Sequence, residues 1–119
     1  MSKILIVDDA AFMRSVIKGI LETGGFTDTC EADDGDTAME VFNAEKPDLT
    51  ILDITMPRQD GIQTLKQIMA ADRNARVVMC SAIGQEKQII SAIQLGAEDY
   101  IVKPFKPDHI LKVVGKALG

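Results

Sequence analysis

Tryptophan is absent from this 119-residue chain, tyrosine occurs once and phenylalanine four times, so aromatic residues make up 4% of the total. An electron carrier that holds a flavin between flat rings would have little material to work with. Cysteine occurs twice, at Cys30 and Cys80. Two cysteines far apart in apolar-leaning segments make neither a disulfide framework nor a metal-ligand cluster, and both are expected to be buried free thiols. Runs of basic charge are missing as well. No two of the 13 Lys and Arg residues are adjacent, and the formal net charge is −5. A nucleic-acid binder needs a basic patch to collect phosphates, and none is offered. Long apolar runs are lacking too. The N-terminal run in MSKILIVDDAAF is too short to span a membrane, is interrupted by Asp8 and Asp9, and has no small-residue cleavage region. A cytoplasmic protein that keeps its thiols reduced and touches no membrane is expected.

What is present has an ordinary globular balance, with 46% hydrophobic and 26% charged residues. The length suits one domain with its own core, expected over residues 1–119 and with no effector domain attached. Along it, strand and helix patterns alternate. Lys3 to Val7 is a β-branched apolar run that fits a strand buried on both faces. A helical pattern follows with Phe12, Met13, Val16, Ile17, Ile20 and Leu21, ended by Gly24-Gly25. Thr27 to Ala32 is more polar, as an edge strand can be, and Thr37 to Ala44 forms a short amphipathic helix closed by Pro47.

Leu49 to Leu52 is a second buried strand, running into Asp53. A loop with Pro57 and Gly61 precedes a helix carrying Ile62, Leu65, Ile68 and Met69. Val77 to Cys80 is a third core strand, ending at Ser81. The next helix runs from Gln85 to Gln94 and stops at Gly96. Its Ile90 and Ile93 fall at helical spacing and are expected to face the core. Ile89 is rotated about 100° from Ile90, which leaves room for one of the three to face outward. Asp99 to Val102 is the last strand, and a helix from Pro107 to Leu118 completes the pattern. Alternation at this spacing implies an α/β fold with a parallel sheet covered by helices on both faces.

In open sheets of this kind, ligands bind beyond the carboxyl ends of the strands. Here the first strand ends in Asp8-Asp9, the third in Asp53, the fourth in Ser81 and the fifth in Lys103. Three crowded carboxylates repel one another and raise at least one pKa, a conflict a cation removes. Oxygen-only ligands suit Mg2+, which takes one or two carboxylates with waters and phosphate oxygens. A lysine ammonium and a serine hydroxyl on the same rim suit a phosphoryl group. A carboxylate in such company is a candidate nucleophile forming an aspartyl phosphate. Each residue has a plainer role available. Asp8 or Asp9 could cap the first helix, Asp53 could serve a turn before Pro57, Ser81 could cap the fourth helix, and Lys103 could be a solvated loop lysine.

The strings Ile6-Val7-Asp8-Asp9, Leu52-Asp53-Ile54-Thr55-Met56-Pro57, Asp60-Gly61, Ser81-Ala82 and Val102-Lys103-Pro104-Phe105 resemble the response-regulator receiver family over the whole chain. Asp8 to Arg14, Asp53 to Pro57 and Cys80 to Ala82 are similar, within it, to CheY-type chemotaxis regulators. The resemblance implies a flavodoxin-like, doubly wound sheet of five parallel strands in the order 2-1-3-4-5 with five helices. It implies that Asp53 is the phosphoacceptor. Asp9 would ligate Mg2+ directly with Asp8 assisting, and the Thr55 backbone carbonyl would complete the protein ligands. Lys103 would pair with the phosphoryl oxygens, Ser81 would supply a hydroxyl that moves toward them, and Tyr100 would be the aromatic switch. It also implies a cis Lys103-Pro104 peptide. Thr55 and Ile83 stand at positions that vary within the family and flank the path of a hydrolytic water.

The function implied is a phosphorylation-activated switch of a two-component system, not a turnover enzyme. A histidine kinase would be the phosphodonor, the flagellar motor switch the leading output target, and a phosphatase a further partner of what is expected to be a monomer. The alternatives are a phosphorelay intermediate, an aspartate-nucleophile phosphatase and a flavodoxin-like electron carrier. The phosphatase would want a second aspartate two residues after the nucleophile, where Thr55 stands. The electron carrier would want a phosphate loop where Asp8-Asp9 stands.

Overall fold

A computed structural model describes residues 2–56 and 59–119, so Pro57 of the expected loop lies outside the described residues. Five strands, β1 (Lys3–Val7), β2 (Asp28–Ala32), β3 (Leu49–Asp53), β4 (Val77–Ser81) and β5 (Asp99–Val102), form one sheet in the order β2-β1-β3-β4-β5. Every pairing is parallel. Helices α1 (Ala11–Thr23), α2 (Gly35–Glu45), α3 (Gly61–Ala71), α4 (Glu86–Leu95) and α5 (Pro107–Leu118) connect and follow the strands. Among the described residues, no helix is long and apolar enough to cross a membrane. The expected fold class and strand order are therefore observed.

The strands divide their side chains between two cores because successive residues point to opposite faces. Leu5, Val7, Leu52 and Met79 pack under α2, α3 and α4 with Ala38, Phe42, Leu65, Ile68 and Ala92. Ile4, Ile6, Ile51 and Val78 pack on the other face against Ile17 and Leu21 of α1 and Ile110, Val113 and Val114 of α5. Burying each such side chain stabilises the fold by about 1.5–3 kcal/mol. The central strands β3 and β4 are buried throughout, which is why their sequences are nearly continuous apolar runs. Edge strand β2 is only partly covered, and Cys30 on it is half-buried, against the expectation of two fully buried thiols. Cys80, on β4, is buried as expected.

The orientation of α4 corrects the sequence reading. Ala92 is buried and Ile89 and Leu95 pack against the core, whereas Ile90 is 59% and Ile93 44% exposed. The inward stripe is centred on the small Ala92, which lets the helix lie close to the sheet; three isoleucines in a five-residue span drew the helical pattern to the wrong side. Phe12 likewise follows the periodicity of α1 but is 71% exposed, because it lies in the first turn beyond the edge of the core.

Candidate functional site

The chain reverses its winding direction after β2, so the carboxyl ends of β1 and β3 border the crevice where open α/β sheets bind ligands. Asp8 and Asp9 leave β1 at this point and Asp53 is the last residue of β3. One carboxylate oxygen from each of the three lies within 4.8 Å of the others. Asp8 and Asp53 are buried and Asp9 is exposed. Neither Asp8 nor Asp9 caps α1, whose N-cap is Ala10 without a side-chain cap. Asp8 Oδ1 instead accepts the Ala10 N–H at 2.9 Å, and the Arg14 guanidinium donates to the Asp8 carbonyl at 2.6 Å while reaching Glu31 at 3.0 Å. Arg14 thus ties the Asp8 backbone to α1. It sits inside the Asp8-to-Arg14 string, yet sequence reasoning gave it no role, since a lone arginine on a helix is usually solvated.

Lys103, just past β5, points back across the end of β4. Its Nζ stands 3.3 Å from Asp8 Oδ2 and 3.4 Å from Asp53 Oδ2, so it is no solvated loop lysine. The peptide after it, Lys103-Pro104, is cis. Burial works against the Lys103 charge, but Asp53 and Asp8 outweigh it and the net shift of its pKa is upward. Asp53 is only 4% exposed, and its carboxyl is pushed up to about 6 from an ordinary 3.8. Burial is the main cause and the Asp8 charge adds to it, while Lys103 and the Thr55 N–H offset them in part. The pair distances exceed the 2.7–2.9 Å typical of charge-assisted bonds, so one ammonium balances two carboxylates loosely.

Ser81 ends β4 beside Asp53, in a register that pairs Asp53 with Cys80. It does not cap α4, whose N-cap is Gln85. Its hydroxyl is buried and, with that of Thr50, lacks a hydrogen-bond partner among the described residues. A buried hydroxyl left unpaired costs about 1–3 kcal/mol, so a site that supplies a partner on the Asp53 side gains by it. Thr55, exposed at the mouth, donates its N–H to Asp53 Oδ1 at 3.3 Å. Tyr100, 41% exposed, lies on β5 beside α4 and away from the carboxylates. The structure thus gathers Asp8, Asp9, Asp53, Thr55, Ser81 and Lys103 on one rim and leaves Tyr100 on the adjoining face.

Two further residues shape the rim. Gly61 opens α3, and a Cβ there would collide with the Asp53 carbonyl oxygen, so only glycine lets α3 start this close to β3. Gln85 joins the loops after β3 and β4 through its carboxamide. The Asp60-Gly61 string pointed to the first; nothing in the sequence singled out the second.

The donor set suits a hard divalent cation. It is made of oxygen alone and it is acidic, and the Asp53 carboxyl is raised by burial first and by the Asp8 charge second, the latter being a repulsion that a cation would relieve.

Residues 4–115 match the model of the response regulator receiver domain. The chain is 53% identical over 117 residues to the chemotaxis protein CheY of Bacillus subtilis, with 98% of each chain covered. It is 50% identical over 117 residues to CheY of Listeria monocytogenes, again with 98% of each covered. Among solved structures, CheY in a CheX-CheY-BeF3-Mg+2 complex from Borrelia burgdorferi superimposes with a TM-score of 0.93 at 37% identity, covering 99% of this chain and 90% of that one. NtrX from Brucella abortus matches with a TM-score of 0.93 at 39% identity; 98% of this chain is covered, but it spans only 26% of that longer one.

Proposed function

The chain belongs to the response regulator receiver domain family, and from that premise we propose that it is a CheY-type switch whose Asp53 accepts a phosphoryl group from a histidine kinase. Receiver domains are signalling switches, and phosphorylation and Mg2+ binding at an acidic pocket are general to them. The observation that carries the assignment to Asp53 is its position: it lies within reach of Lys103, the Asp8-Asp9 pair and the Ser81 strand end at once. An Asp53 carboxylate oxygen would attack the phosphorus of a phosphohistidine. A P–O bond forms, the P–N bond breaks, and its electron pair returns to the imidazole nitrogen.

Asp9, Asp53 and the Thr55 carbonyl are the proposed ligands of Mg2+, with Asp8 assisting from its buried position. Held by these residues, Mg2+ would supply neutralising charge to the carboxylates and the incoming phosphoryl group. Lys103 supports the same charge from the other side, and Ser81 offers the hydroxyl that lacks a partner at rest. Thr55 occupies the place where an aspartate-nucleophile phosphatase would keep its second acid, which favours a stable modification over turnover.

As output we propose the flagellar motor switch, engaged by the α4–β5–α5 face, with the domain acting as a cytoplasmic monomer over residues 1–119. Incubation with acetyl phosphate and Mg2+, followed by mass-spectrometric mapping of the base-labile adduct, tests the acceptor. The expected result is a single adduct on Asp53 that is absent from Asp53→Asn. Full labelling of that variant would overturn the assignment.

A further inference from the structure

Gln85 is the N-cap residue of α4, yet its side chain does not cap the helix. Its backbone carbonyl starts the helix by accepting the Ile89 N–H at 3.0 Å, while the carboxamide turns back toward the sheet. There Oε1 accepts the Ala82 N–H at 2.6 Å and Nε2 donates to Thr55 Oγ1 at 2.7 Å. Both bonds are short for neutral partners. One half-buried side chain therefore joins the loop after β4 to the loop after β3.

The two attachment points are adjacent to the chemistry. Thr55 donates its own N–H to Asp53 Oδ1. Ala82 directly follows Ser81, whose buried hydroxyl has no partner among the described residues. At rest, then, the Ser81-Ala82 end of β4 withholds one donor unsatisfied and has the next one spent on Gln85. A phosphoryl group on Asp53 would present several anionic oxygens to this same strand end. Hydrogen bonds to such oxygens are about twice as strong as those to a neutral carboxamide, so the Ala82 N–H is better satisfied by the phosphoryl group than by Gln85. Drawing Ser81 and Ala82 toward Asp53 then requires the clasp to open.

We propose that Gln85 is a positioning residue that holds the Ser81-Ala82 strand end in the resting arrangement and so sets how readily a phosphoryl group on Asp53 is accommodated. This rests on the assignment of Asp53 as acceptor. Gln85 acts through Thr55 and Ala82 and touches neither the metal ligands' carboxylates nor the phosphoryl group. Because it is also the first residue of α4's hydrogen-bonded frame, opening the clasp loosens the start of the helix that carries Ile89, Ile90 and Ile93. The clasp thus opposes activation, in free energy shared between the site and the output face.

The test is the affinity for beryllofluoride in the presence of Mg2+, followed by amide NMR, together with thermal stability. Gln85→Leu keeps most of the side chain's bulk and removes both bonds. It is expected to bind beryllofluoride about fivefold more tightly than the wild type while melting at a lower temperature. Opposite signs identify a clasp on the resting state, since a merely structural glutamine would lower both. Thr55→Val breaks only the Nε2 bond and is expected to give a smaller gain. In Gln85→Leu/Thr55→Val the gains should not add, because the two residues act as one unit. Gln85→Ala, which cannot fill the space, should show the same rise. Unchanged or weakened beryllofluoride binding in both Gln85 variants, or additive gains in the double variant, overturns the proposal while leaving Asp53 as acceptor. If the wild type itself shows no beryllofluoride binding, the acceptor assignment and the clasp fall together.

Discussion

Lys103 reaches Asp53 across the sheet: Nζ lies 3.4 Å from Oδ2, although β4 stands between β3, which ends in Asp53, and β5, which Lys103 follows. The same ammonium lies 3.3 Å from Asp8. One ammonium therefore serves two carboxylates, one just after β1 and one ending β3, that would otherwise repel each other.

Removing that cation separates charge balance from folding. The Lys103 side chain is part-exposed and belongs to neither core cluster, so Lys103→Ala is expected to fold. Its Asp53 carboxyl should titrate above the wild-type value of about 6, because a lowering influence is gone. Phosphorylation by acetyl phosphate should slow by about tenfold or more without ceasing, and the gain in partner affinity on beryllofluoride addition should be lost. Carbonyl-detected NMR titration and a binding assay with and without beryllofluoride check these outcomes. An undiminished affinity gain would remove Lys103 from the switch.

Stability without metal should depend on pH through Asp53. A carboxyl raised from 3.8 to about 6 holds more protons in the folded than in the unfolded chain between these values. Its contribution is present below pH 3.8 and is lost as pH rises through about 6, leaving the folded state penalised at neutral pH. Asp53→Asn removes the ionisation and should therefore be more stable than the wild type in metal-free buffer at pH 8. The gain should be about 1 kcal/mol, less than the full shift implies because the crevice opens to solvent. Mg2+ must displace the proton, so its apparent affinity should weaken as pH falls below about 6. Chemical denaturation at pH 5 and pH 8, with and without Mg2+, measures both effects.

Gly61→Ala tests whether the start of α3 sets the position of Asp53. The new methyl group would meet the carbonyl of Asp53 and the backbone of Ile54, neither of which is a flexible side-chain end. The expected cost is about 2 kcal/mol or more of stability, with weakened Mg2+ binding in whatever fraction folds. Gly115→Ala is the control. A Cβ there meets nothing, and replacing a helix-interior glycine should be neutral or stabilising.

The sequence made most of this legible where a residue's type and its place at a strand end coincide. Asp8, Asp9, Asp53, Ser81 and Lys103 each terminate an apolar run, so the parallel fold alone brings them to one rim. Two kinds of feature escaped. The facing of α4 depended on which side lies against the sheet, and the small Ala92 decided it over Ile90 and Ile93, which hydrophobic periodicity favours. Gln85 escaped because its role is a pair of hydrogen bonds to a backbone N–H and a hydroxyl thirty residues away. A neutral polar side chain has no periodicity, and its partners exist only once the loops are folded.

The corrected facing of α4 sharpens the expected output surface. Ile90 and Ile93 project outward beside the part-exposed Tyr100, and with Ile83, Ile89 and Val102 they line an apolar groove of about 550 Å³. An exposed apolar groove along a helix fits the apolar face of an amphipathic partner helix. If the Tyr100 ring turns inward on phosphorylation, it vacates part of this groove and gives the partner a different fit in the two states. Ile90→Arg should then lower partner affinity by tenfold or more while leaving beryllofluoride binding unchanged, because Ile90 contributes nothing to the site. Ile89→Arg should instead destabilise the fold, since Ile89 packs against the core. Linkage requires that a partner preferring the phosphorylated state also tightens beryllofluoride binding by the same factor. Amide NMR of the beryllofluoride-bound protein with and without the proposed output partner checks the surface directly. Shifts confined to α1 and α2, sparing residues 89–112, would move the output face elsewhere and return the groove to a structural role.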